Sequence, residues 1–501
     1  MDRRPLPRPA VALVPVAFLV VLLGLSVINL NDLPEIALVS AFLKAVASIP
    51  IFGEALWHSI PVPIPLVAAT AVAAFVAWRL GMKWKAIEES FLHGIMLSLG
   101  ACLILLVIGM LIGTWILGGI VPTMVYYGLK LISPSVFLVA TCSICAIVSL
   151  ASGSSWATAG TVGIAMIGVG SGLGIPLPMV AGAIISGAYF GDKMSPLSDT
   201  TNLAPAVAGS DLFSHVRHMT YTTLPALVIA LVLYGLLGLK YGGGELDTRG
   251  ITAILATLDA KFTISAWLLL VPGLVFVLVI KRVPALPALL IGAVAGGICA
   301  IFVQDAPISD VLLVSNNGYV ASTGAAAVDE LLTRGGLQSM FPTLAIIITA
   351  MCFGGVMERS GMLESLASVV LRFAKSTGSL IAATVGTCIG MNIIAPDQYL
   401  SIVVPGRMYR DAYQRAGLDP KNLSRALEDA GTLSSPLIPW NTCGAYMTAT
   451  LGVFSFAYLP YAFLNLICPI ISVIYGYTGL TIATLKPAPS LEPTTREREE
   501  I

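Results

Sequence analysis

From residue 11 to residue 480 the chain returns repeatedly to apolar runs long enough to cross a bilayer core, among them 11–30, 94–117, 219–239 and 284–303. No water is present at that depth to satisfy a peptide group, so such runs must close their own hydrogen bonds as helices. The rest of the chain has too little charge to cover a soluble domain: 57% of the 501 residues are hydrophobic and 11% are charged. The fold class that follows is an all-α polytopic membrane protein. Formal net charge is zero, so no basic footprint points to nucleic acid. The eight cysteines are scattered through apolar segments without metal-ligand spacing and read as small buried hydrophobes.

Against this background residues 190–204, FGDKMSPLSDTTNLA, are exceptional. Asp192, Lys193 and Asp199 stand among Ser195, Ser198, Thr200, Thr201 and Asn202, and ionisable groups at membrane depth are tolerated only when paired or facing a wet cavity. Pro196 interrupts the backbone ladder in the middle, so a helix unwound near the bilayer midplane is expected. A related stretch follows at 428–446, EDAGTLSSPLIPWNTCGAY, where Ser435-Pro436-Leu437 repeats Ser195-Pro196-Leu197 240 residues later. Each is preceded by another polar interruption. These are Ser152, Gly153, Ser154 and Ser155 in the first half, and Ala395-Pro396-Asp397-Gln398 in the second. Paired, interrupted hydrophobic segments in two halves mark the binding site of a secondary transporter.

Basic loops set the orientation. With the amino terminus inside, Arg79, Lys83 and Lys85 fall in the cytoplasm, and so do Arg407, Arg410, Arg415, Lys421 and Arg425. The first run is too long for a signal peptide and lacks a clear cleavage site. Each half then counts five spans and one re-entrant hairpin. The first hairpin has half-length arms at 135–150 and 156–169, and the second lies at 380–405 about Asp397. Residues 122–132 and 363–375 read as interfacial helices. An odd number of spans inverts the second half, so an inverted repeat is expected: 1–240, a linker loop at 241–263, 264–482, and a disordered cytoplasmic tail at 483–501. Gly168, Gly170, Gly172 and Gly174 follow no strand and precede no lysine, so they do not read as a phosphate loop.

Residues 190–219, FGDKMSPLSDTTNLAPAVAGSDLFSHVRHM, resemble the signature stretch of the NhaC family of Na+/H+ antiporters, and the likeness extends over roughly residues 60–480. The resemblance implies exchange of Na+ for H+ by alternating access, with no cofactor, in a multi-pass protein of the cytoplasmic (inner) membrane. Family members also couple sodium to organic acids such as malate and lactate, so a small organic acid stays open as a further partner. A homodimer stays open too.

Sodium, a hard cation, favours oxygen ligands. In the first half Asp199, Thr200, Thr201 and Asn202, with Ser195 and Asp192, are the expected Na+/H+ site. Asp199 alternatively caps the half-helix it begins, and Asp192 alternatively pairs with Lys193. In the second half the expected site residues are Asp397, Gln398, Asp429, Ser434, Ser435, Asn441 and Thr442. Asp397 alternatively caps the helix after it, and Glu428 and Asp429 are alternatively solvated beside the basic loop. His215 and His218 read either as pH sensors or as ordinary interfacial histidines. Burial disfavours an ionised carboxyl and a bound cation favours it, so proton and sodium compete for one group. No nucleophile and base pair argues for an enzyme. A sodium-coupled organic-acid exchanger is the alternative to simple Na+/H+ exchange.

Overall fold

The computed structural model describes residues 6–27, 61–242, 248–281 and 283–485. The glycine-rich centre of the expected linker and the tail from 486 onward lie outside them. Among the described residues no strand forms; two isolated bridges, Tyr319 with Arg334 and Leu418 with Thr484, complete an otherwise helical protein. Among the described residues six helices are long and apolar enough to cross a membrane, or eight if two bent pairs count as spans.

The first half runs α1 (Pro9–Val27), α2 (Pro63–Arg79) and the 34-residue α3 (Trp84–Leu117). The short α4 (Ile120–Leu131) follows left-handed Gly119, and α5 (Pro134–Ser152) and α6 (155–172) form a hairpin. Next, α7 (Leu177–Met194) stops before Ser195-Pro196-Leu197 and α8 (Asp199–Ala208) resumes it; α9 (Leu212–Gly242) ends the set. Proline opens α2 and α5, where its missing N–H is an unpaired donor in any case.

The region between the halves is helical where a loop was expected: α10 (Thr248–Lys261) meets α11 (Leu270–Ile280) at a sharp bend. After α12 (Ala285–Phe302), the acidic loop also contains two short helices, α13 (Ile308–Asn317) and α14 (Ala326–Leu332). The earlier succession then recurs. α15 (Phe341–Arg359) and left-handed Gly361 lead to the short α16 (Met362–Leu371), and α17 (Thr377–Ile394) and α18 (Gln398–Arg415) form the second hairpin. α19 (Pro420–Leu427) continues through a π-turn at Glu428–Thr432, breaks around Ser435–Leu437, and resumes as α20 (Thr442–Leu451). α21 (Ser455–Tyr458) and α22 (Phe463–Thr478) are the last helices among the described residues. Left-handed glycines end both resumed helices, Gly209 and Gly452.

The first arm of each hairpin, α5 and α17, is as long and apolar as a full span and so exceeds the expected half length. Backbone contact holds the hairpins to the broken helices. α5 packs along α7 at Gly187 and Gly191, where a side chain would run into the backbone of Cys142 and of Ser149 and Leu150. At the first tip Gly153 is left-handed (φ 70°), and a Cβ there would lie 2.8 Å from Leu197 C and 2.9 Å from Ser198 N.

Two tests follow. The inverted arrangement requires Asp310→Cys, on an exposed helix, to react with an impermeant maleimide from outside, and the exposed Arg415→Cys to react only from the cytoplasm. Labelling of both from one side contradicts it. Gly153→Ala combines left-handed strain of about 1–2 kcal/mol with a clash at the break, so the thermal midpoint of the purified protein should fall. Gly386→Ala, with no neighbour within 4 Å, should leave the midpoint in place.

Candidate functional site

Both hairpin tips and both resumed helices meet at one cavity of about 800 Å³. From the first half it is lined by Ser152, Gly153, Ser154, Ser155, Trp156, Asp192, Pro196, Leu197, Ser198, Asp199 and Thr200; from the second by Asp397, Gln398, Tyr399, Thr442 and Cys443. Four helices therefore begin at its wall: α6 at Ser155, α8 at Asp199, α18 at Gln398 and α20 at Thr442.

Asp192 is the carboxylate on this wall with both oxygens engaged by side-chain hydroxyls. It is 8% exposed and accepts hydrogen bonds at 2.6 Å from Ser155 Oγ at the tip and from Ser198 Oγ in the break. It does not pair with Lys193, which turns away to Asp429. Asp199 sits in the first turn of α8, exposed toward the cavity, and makes no capping bond; Tyr399 Oη donates to its Oδ2 at 3.4 Å. Asp397 does cap its helix, accepting from Tyr399 N at 2.9 Å and Leu400 N at 3.2 Å, and it lines the cavity as well. Ser154 does the same at the first tip, accepting from Ala157 N.

The other expected residues hold the breaks together. Thr201 Oγ1 donates to the carbonyls of Asp192 and Lys193, and the Asn202 amide donates to Pro196 O and Ser198 O. Ser195 is buried and accepts from Leu197 N. In the second half Asn441 donates to Asn392 Oδ1, while the Asn392 amide donates to Gly431 O and Ser434 Oγ. Ser434 and Ser435 donate to Ala430 O and Thr432 O, and Thr442 N donates to Pro396 O at the second tip. Glu428 and Asp429 are fully buried in the π-turn and face no solvated loop. Asp429 is bonded to Lys193 and lies outside the cavity wall; neither oxygen of Glu428 has a hydrogen-bond partner. His215 and His218 are buried rather than interfacial, and His218 Nε2 lies 3.2 Å from Asn422 Oδ1.

Several wall residues escaped the sequence reading. Trp156 and Tyr399 each follow a tip residue directly, which was the available signal. Trp156 stacks on Tyr446 of the other half with ring centroids 3.9 Å apart, and Tyr446 Oη donates to Trp156 O at 2.7 Å. Each hairpin thus touches the resumed helix of the opposite half. Cys443 Sγ donates to Gln398 Oε1 at 2.8 Å. Asn392, a lone amide in an apolar run, was also readable as a partner for a break.

The Na+/H+ antiporter family model matches residues 187–480, from the end of α7 to the last helix. The chain is 42% identical over 420 residues to the Na+/H+ antiporter NhaC of Alkalihalophilus pseudofirmus, covering 84% of this chain and 90% of that one. It is 41% identical over 453 residues to the malate-2H+/Na+-lactate antiporter of Bacillus subtilis, covering 90% and 96%. It is 40% identical over 431 residues to an arginine/ornithine antiporter of Halobacterium salinarum, covering 85% and 88%. On that family match and these identities over most of its length, the chain is a multi-pass membrane protein that belongs to the NhaC-type Na+/H+ antiporter family.

Proposed function

We propose that the protein exchanges Na+ for H+ across the cytoplasmic membrane by alternating access, with Asp192 as the carboxylate the two ions share. The observation that carries this reading is the position of Asp192, buried between a hairpin tip and a helix break at the wall of the cavity. Thr200, Asp199 and Asp397 supply further oxygen on the same wall. This moves the emphasis from Asp199, which is exposed and weakly held, to its neighbour across the break.

Charge bookkeeping supports one monovalent cation. Four helix starts at roughly half an elementary charge each offset about two of the three wall carboxylates, leaving about one negative charge for Na+ or H+. Lys193 does not enter this sum, because Asp429 engages it. A proton and a sodium ion then compete for one group, and if only occupied states reorient readily, competition alone couples the two flows. The wall also includes Val283–Leu286, just after Lys281, which the basic-loop rule assigns to the cytoplasmic side; this supports an inward-facing cavity.

A second reading has one observation in its favour. A cavity of about 800 Å³ is much larger than a bare ion needs and lies in the range of small-molecule sites. The four helix starts would suit the carboxylate of an organic acid exchanged along with sodium. Proteoliposomes carrying a pH-sensitive dye separate the readings. Proton movement after a sodium pulse without any organic acid supports simple exchange, and an absolute requirement for malate, lactate or an amino acid supports the alternative.

Asp192→Asn keeps shape and removes charge, so a folded variant should lose sodium-dependent proton movement at every pH tested. Wild-type exchange by this variant contradicts the assignment. Asp199→Asn should retain exchange and require a higher sodium concentration for half-maximal rate; complete loss would return the shared role to Asp199.

A further inference from the structure

The ion pair between Lys193 and Asp429 lies outside the cavity wall and is fully buried. Lys193 Nζ donates to Asp429 Oδ1, to Thr223 Oγ1 at 2.7 Å and to Cys468 Sγ at 3.2 Å. Thr222 Oγ1 donates to the same Asp429 oxygen at 2.9 Å. The groups come from α7, α9, the π-turn after α19, and α22. The last turn of the first broken helix is thereby fastened to the π-turn of the second.

Stability alone is a poor reason for such a pair. Desolvating two charges offsets most of their attraction, and apolar residues of similar volume often serve the fold equally well. Geometry offers a better reason. Lys193 is the residue after Asp192, and successive residues of a helix point about 100° apart. Fixing the direction of Lys193 therefore fixes the direction of Asp192, and Thr201 clamps both their carbonyls from the break. We infer that Lys193 and Asp429 are positioning residues for the ion site, holding the end of α7 so that Asp192 meets Ser155 and Ser198. The inference rests on the reading of Asp192 as the shared carboxylate.

The test compares Asp192→Asn, Lys193→Met, Asp429→Asn, the double variant Lys193→Met/Asp429→Asn, and Asp429→Glu in proteoliposomes. Each is scored for folded yield, maximal exchange rate and half-saturating sodium. Each single neutralisation leaves a buried charge without its partner and should lower the yield. The double variant orphans neither charge, and Asp429→Glu keeps both while pushing α7 by one methylene. Both should fold with maximal rate near wild type and half-saturating sodium raised on the order of tenfold, as for partners that orient metal ligands. A wild-type half-saturation in either folded variant overturns the inference and leaves the pair a purely structural brace. Asp192→Asn separates the two levels: normal exchange there removes the underlying assignment, whereas its loss alongside a wild-type double variant removes only the positioning role.

Discussion

Peptide groups released at membrane depth need partners, and the whole arrangement depends on how the two broken helices find them. Around the first break Thr201 and Asn202 take four carbonyls between them. Around the second, the Asn392 amide takes Gly431 O, Trp440 Nε1 takes Ile393 O, and Thr442 N takes Pro396 O. At the first break both donors lie on the resumed helix α8, whereas at the second the hairpin and the broken helix exchange them, Asn392 donating one way and Trp440 and Thr442 the other. Asp192, Asp199 and Asp397 are the carboxylates on the cavity wall.

The halves share a plan and differ in charge. Where the second half closes its break with the neutral amides of Asn392 and Asn441, the first places the carboxylate of Asp192 between two serine hydroxyls. An amide pair satisfies itself, whereas a buried carboxylate held only by hydroxyls still requires a proton or a cation. In the proposed reading that asymmetry places the exchanging carboxylate in the first half. The second half contributes Asp397, the Gln398 and Tyr399 wall, and the far end of the brace on Lys193.

Much of this was legible in the sequence because membrane depth leaves few options. Apolar runs located most of the helices, and the tips at Ser152–Ser155 and Asp397 and the first Ser-Pro-Leu break do converge on one cavity, whereas Ser435–Leu437 lie off its wall. What was not legible depends on rotation and distance. Lys193 follows Asp192 and so suggested an adjacent pair, but one helical step turns it to Asp429, 236 residues away in sequence. Glu428 and Asp429 follow a basic loop and suggested solvation, but the π-turn carries them into the interior. Thr248–Lys261 carries an amphipathic helical pattern that the adjacent glycine run obscured.

The central claim is that one carboxylate, Asp192, is occupied either by a proton or by sodium. Equilibrium sodium binding to the purified protein over a series of pH values tests it without transport or orientation. Competition for one group requires the apparent Kd for sodium to rise as pH falls, by up to about tenfold per pH unit, with unchanged binding capacity. It also requires Asp192→Asn to lose this binding. Sodium affinity independent of pH, or pH-dependent binding that survives in Asp192→Asn, would contradict the account.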